Sequence, residues 1–237
     1  MESEPMEIEY GETKAGEAGA DRAEPVSILV GAVPVQPVLD EDWLRIQDQA
    51  ACQGLATLWN EPAAFGAIRN ACNGNESPGW ACLRGTGSFA RIRQLGLPVI
   101  LQLQGSSQEI LLLHGINGDL LLAGAPGTQL TLARQAIEER WFGAYMVAWP
   151  QAEGWPREIS RGDEGAAVDT VLGLARLADQ PYSGTAGFGP EFENWLISFQ
   201  RRNGLEDDGI VGPRTLLYLI RPSISEPGLI SDWPEGS

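Results

Sequence analysis

The sequence predicts an α+β domain followed by a small three-helix bundle, and two observations carry that prediction. Between residues 42 and 149, stretches of helical apolar spacing are interleaved with short apolar runs of strand character. After "WPQAEGWPRE" at 149–158, with two Trp-Pro pairs and a glycine, the spacing becomes purely helical to about residue 220. At 237 residues, 43% hydrophobic and with eight tryptophans, the chain can fill the cores of one large domain or two small ones.

Taken in order, "DWLRIQDQAACQGLATLW" sets Trp43, Ile46, Ala50, Leu55, Leu58 and Trp59 at helical intervals and predicts the first helix. "FARIRQLGLPVILQLQ" predicts a short helix, a break at Gly96 and a strand entered at Pro98. In "EILLLHGINGDLLLAG" two apolar runs flank Asn117-Gly118, which predicts a β-hairpin with a type I′ turn. "TQLTLARQAIEERW" begins as a strand and becomes a helix, and "FGAYMVAWP" supplies a last strand. In the bundle, Val168, Val171, Leu172 and Ala175 form one stripe, Phe192, Trp195, Leu196 and Phe199 a second, and Leu216, Leu219 and Ile220 begin a third. Gly204 is placed to cap the second helix, Asp208-Gly209 to turn the chain, and Gly212-Pro213 to start the third.

The ends differ in texture. The first 24 residues hold eight acids against two bases, so residues 1–38 are expected to be a disordered acidic tether. Residues 39–150 and 151–222 are the two expected domains, and 223–237 an acidic tail. The formal net charge of −16 argues against nucleic acid or an anionic membrane as partner, since both require Lys and Arg. No apolar run is long enough to span a bilayer, and the acidic N-terminus is unlike a signal peptide. The expectation is a cytosolic chain or the soluble part of a longer anchored protein. Cys72 and Cys82 bracket "CNGNESPGWAC", a turn-rich loop able to close on itself, whereas Cys52 lies in an apolar run and reads as a small core residue. One disulfide and one buried thiol suit an oxidising compartment.

Three separated blocks then match one family in order. Gly162, Gly165 and Val168, then Phe199, Gln200, Gly204 and Leu205, then Asp208, Gly209, Val211, Gly212 and Thr215 resemble the peptidoglycan-binding domain appended to many cell-wall hydrolases. The resemblance implies a three-helix fold and peptidoglycan as partner. Its candidate contacts are Phe199, Gln200, Asp208, Gly209, Val211, Gly212 and Thr215, with the Gln200 amide offered to the ligand as donor and acceptor. It also implies that residues of about 155–222 fold and bind as an isolated unit.

"EILLLHGINGDLLLAGAPG" in turn resembles papain-like, bacteriocin-processing cysteine peptidases. That likeness places the catalytic histidine at Glu109, the orienting aspartate at Ala125, and the nucleophile near Gln47 or Asp48. A thiolate needs a base in reach and a group to orient it, and these positions hold neither. Cys52 and His114, the one histidine, are a poor substitute, because His114 lies an odd number of residues from Glu109 and should point to the other face. The expectation is an inactive peptidase-like domain with no catalytic residues, no metal and no cofactor.

The two resemblances together are similar to the periplasmic half of the general secretion pathway protein A family, supported by "ACQGLATLW", Cys72, Cys82 and "RIRQLGLPVILQL". This implies a periplasmic, non-catalytic, peptidoglycan-binding role in type II secretion, as part of an inner-membrane-anchored protein or complex. The secretin and a GspB-like component are the implied partners, with no membrane contact by the chain itself. It also implies a Cys72–Cys82 disulfide. The alternatives are a cell-wall or peptide hydrolase that uses the bundle to hold substrate, and a pure protein–protein scaffold.

Overall fold

The apolar runs of the first domain pair into one sheet and the helical stripes close on each other, as the two spacings require. The structure, a computed structural model, describes residues 35–36, 40–104, 109–151, 155–224 and 226–233. Its elements are β1 (Val35–Gln36), α1 (Glu41–Leu58), α2 (Phe65–Cys72), β2 (Trp80–Thr86), α3 (Phe89–Leu95), β3 (Val99–Leu103), β4 (Glu109–Asn117), β5 (Leu120–Ala123), β6 (Leu130–Ala133), α4 (Arg134–Glu138) and β7 (Ala144–Pro150). The helices α5 (Ala166–Ala175), α6 (Pro190–Arg202) and α7 (Pro213–Ile220) follow.

The sheet order is β1-β6-β5-β4-β3-β7-β2, antiparallel apart from the β1–β6 pair. Alternation along the strands sorts side chains to two faces. Ile100, Leu112, Met146 and Ala148 face one cluster with Ala51 and Leu55 of α1. Leu101, Leu111, Leu113 and Val147 face another, with Phe89, Ile92 and Leu95 of α3 and Ile137 of α4. The strands are apolar on both sides because helices cover both sides.

The bundle has its own core of Val168, Val171, Leu172, Phe192, Leu196, Phe199, Leu216 and Leu219. An aromatic row runs along α6: Phe192 stacks on Trp195 at 5.5 Å, and Trp195 on Phe199 at 5.3 Å. The bundle is not self-contained, however. Leu217 of α7 is fully buried in the sheet's core, and Tyr218 and Ile220 pack against both clusters. Two arginines tie the modules reciprocally. Arg91 of α3 donates to the carbonyls of Asn203 (2.6 Å) and Gly204 (2.9 Å) at the end of α6. Arg221, after α7, donates to those of Leu95 and Gly96 (both 2.9 Å) at the end of α3. Each guanidinium meets carbonyls that a helix terminus leaves unpaired.

Several expectations need adjustment. Of the stretch read as a tether, only Val35–Gln36 falls within the described residues, and it forms β1 beside β6; the rest lies outside them. The hairpin turn is centred one residue later than predicted, because Asn117 pairs with Leu120. Of the two turn residues only Gly118 takes a positive φ (57°), the pattern of a II′ rather than a I′ turn. The end of the cysteine loop, Trp80–Cys82, instead begins the edge strand β2, paired to β7 from Trp80↔Pro150 to Thr86↔Ala144. Within the stretch read as an acidic tail, residues 226–233 dock. β3 pairs β4 only as far as Leu113, and beyond it Ile230 pairs Gly115, with Ile230 N–H donating to the His114 carbonyl and Ile116 N–H to that of Ile230 (both 2.9 Å). Trp233 Nε1 then reaches Thr131 Oγ1 at 3.2 Å. The segment fills hydrogen bonds that β3 leaves open.

Candidate functional site

Gln200 organises the connection between α6 and α7. It is fully buried, and its Nε2 lies 2.8 Å from Asp208 Oδ1, 2.9 Å from the Ile210 carbonyl and 3.2 Å from Thr215 Oγ1. Its Oε1 accepts from the Gly209 N–H at 3.0 Å. Asp208 Oδ1 also accepts from the Ile210 N–H at 2.9 Å, closing a turn on itself. Gly209 takes φ 72°, where a Cβ would be strained and would stand 3.1 Å from Glu193 Cγ. Val211 exchanges backbone hydrogen bonds with Ile159, so the segment entering the bundle is stitched to the same connection.

The expected contacts are thus brought together, but chiefly as framework. Phe199, Val211 and Thr215 are buried, and every polar group of the Gln200 amide is engaged within the protein. The amide that the sequence offered to a ligand is a strut. Gly212 and Pro213 at the start of α7, half-buried and exposed respectively, remain at the surface. The sequence carried the spacing of these residues and could not show that their hydrogen bonds close on each other.

In the first domain, the structure joins two of the three peptidase-like positions. Gln47 is fully buried, accepts from the Ala125 N–H at 2.7 Å and donates to Thr128 Oγ1 at 3.1 Å. α1 sits so close here that a Cβ on Gly54 would meet Ala125 Cβ and Leu112 Cδ2, each at 2.9 Å. Glu109, opposite Leu103 and by alternation on the Leu111–Leu113 face, is paired with Arg140 at 2.8 Å. His114 stands where the β4–β5 register shifts. It is buried, neither ring nitrogen has a well-formed hydrogen bond, and desolvation lowers its pKa to about 4, the Gly124 backbone beside it offsetting only part of this. Cys52, half-buried, lies outside the disulfide.

That disulfide joins Cys72 and Cys82, as expected, with Cα atoms 5.0 Å apart. Arg84 Nε donates to the Cys72 carbonyl (2.7 Å) and Ser77 Oγ to that of Ala67 (2.8 Å), fixing the loop against α2. Between this loop and the start of α7 lies a groove of about 840 Å³. The sequence read its walls as a loop and a linker. Two Trp-Pro pairs in one linker were the available signal. Among the described residues no group of acidic, His and Cys side chains is arranged to hold a metal ion, and no helix is long and apolar enough to cross a membrane.

Residues 173–219 match the family described as a putative peptidoglycan binding domain. That match takes in α6 and nearly all of α7. Along most of its length the chain is also similar to general secretion pathway protein A. It is 28% identical to that of Aeromonas hydrophila over 179 residues, 73% of this chain and 32% of the relative. It is 26% identical to the putative general secretion pathway protein A of Escherichia coli (strain K12) over 199 residues, 79% of this chain and 40% of the relative. The chain therefore spans 32% to 40% of the length of these relatives. The fold is similar to that of a periplasmic domain of the EpsAB fusion protein of the Vibrio vulnificus type II secretion system, at a TM-score of 0.52 and 20% identity, covering 82% of this chain and 97% of that one. The matched stretch carries the α6–α7 connection, and α7 forms one wall of the groove.

Proposed function

We propose that the chain is a non-catalytic module that holds peptidoglycan in the periplasm in support of type II secretion, residues 39–150 forming an inactive peptidase-like domain and 151–222 the binding bundle. The observation that carries this reading is the peptidoglycan-binding match over 173–219, on a bundle clamped to a domain similar to general secretion pathway protein A. Assistance to secretin assembly through the wall is the finer form of the proposal. It is supported by the relatives' names and by the EpsAB fold likeness.

The non-catalytic part rests on chemistry. At the peptidase-like positions Gln47 offers an amide, Ala125 a methyl group, and Glu109 a carboxylate paired with Arg140. None of these generates a thiolate. The purified full chain, mixed with sacculi and centrifuged, should pellet with them. A chain that folds and stays in the supernatant would favour the protein-scaffold alternative. Peptide turnover abolished by Cys52→Ala would favour the hydrolase.

A further inference from the structure

Resting on the peptidoglycan reading, we propose that the groove between the Cys72–Cys82 loop and the start of α7 binds the sugar strand of peptidoglycan, with residues of both domains as its walls. The groove, about 840 Å³, has the size of a ligand site. One wall is the disulfide loop, pinned by Arg84, by Ser77 and by the Gln151 N–H donating to the Gly79 carbonyl at 2.9 Å. The other is α7, held by Leu217 in the sheet core and by the Arg91 and Arg221 clamps. Both walls are fixed before any ligand arrives, which lowers the ordering cost of binding.

The lining selects a sugar. The indole of Trp155 supplies apolar ring surface for the C–H face of a pyranose, and Asn75 and Gln151 supply amides for hydroxyl and acetamido groups. Trp149, 1% exposed, is part of the fixed floor beneath this lining. The charged lining residues are Glu76 and Arg157, one of each sign. Such a balance does not favour the carboxylates of a stem peptide, least of all in a chain of net charge −16, whereas a neutral disaccharide unit needs no counter-charge. The start of α7, which carries the family motif residues Gly212 and Thr215, borders this same groove through Pro213 and Leu216.

The test is sedimentation of the full chain with sacculi, challenged by neutral oligosaccharides of N-acetylglucosamine or by free stem peptide. The oligosaccharides should release the protein and stem peptide should not. Trp155→Ala should weaken retention about tenfold and Gln151→Ala or Asn75→Ala severalfold. Trp155 also packs against the bundle, so Gln151→Ala and Asn75→Ala, with unfolding midpoints unchanged, keep the test independent of folding. Wild-type retention with unchanged binding by all three variants would overturn the groove while leaving peptidoglycan binding standing. Release by stem peptide alone would overturn the sugar assignment. A folded wild-type chain that does not sediment would overturn both.

Discussion

Gln200 stands at the centre of a closed set of hydrogen bonds, and removing its amide strands the Gly209 N–H and takes a partner from Asp208 and Thr215. Gln200→Ala is expected to cost about 2–3 kcal/mol of stability, because a buried donor left unpaired loses its desolvation compensation. Chemical denaturation measures this. At a temperature where the variant remains folded, its retention on sacculi should match the wild type; lost binding with an unchanged unfolding midpoint would instead make Gln200 a ligand contact. His114 gives a second residue-scale expectation. Its pKa is held near 4 in the fold against an ordinary value of 6.5, so the unfolded chain binds the extra proton between those values. Stability from this residue is complete above about pH 6.5 and is lost as pH falls towards 4, by about 3 kcal/mol in all. Denaturation curves of wild type and His114→Leu at pH 7 and pH 4.5 should differ in their pH slope by about that amount, and parallel slopes would contradict it.

Among the elements, the cysteine loop and the α6–α7 connection are constrained most tightly. Replacing Cys72 and Cys82 together by serine should lower stability by about 2–3 kcal/mol through greater freedom of the unfolded chain, read as a lower urea midpoint; an unchanged midpoint would mean the bonds from Arg84, Ser77 and Gln151 hold the loop without the disulfide. The sequence made α1, α3, the hairpin and all three bundle helices legible, since each carries a sustained apolar period and a glycine or proline boundary. It hid β2. "WACLRGT" lies at a sheet edge with a half-exposed pattern and follows the turn-rich loop directly, so no alternation marks it. It also hid the docked segment 226–233, because Ile230 makes sense only against a strand edge that β3 vacates, and Leu229 only against Gly96 at the end of α3. The site residues were legible as a spacing. That they form a frame, with an accessible groove beside them, depends on two distant segments meeting.

For the whole molecule, the shared Leu217 and the two arginine clamps argue that the bundle and the sheet domain unfold together. The excised segment 155–222 would expose one face of α7, so the full chain is the unit to assay. Wild type is expected to melt in one transition, and Arg91→Ala with Arg221→Ala to separate or lower it; two resolved wild-type transitions would contradict the shared core. The net charge of −16 sets the ionic behaviour. Repulsion from an anionic wall is screened by salt, so retention on sacculi should hold or rise from low to moderate ionic strength, whereas a fall would indicate charge-driven binding. The central claim, peptidoglycan held without being cut, is tested most directly by incubating the full chain with sacculi overnight and analysing pellet and supernatant of the same sample. The account predicts protein in the pellet and no muropeptide released into the supernatant. Folded protein left in solution, or soluble muropeptides accumulating with time, would contradict it.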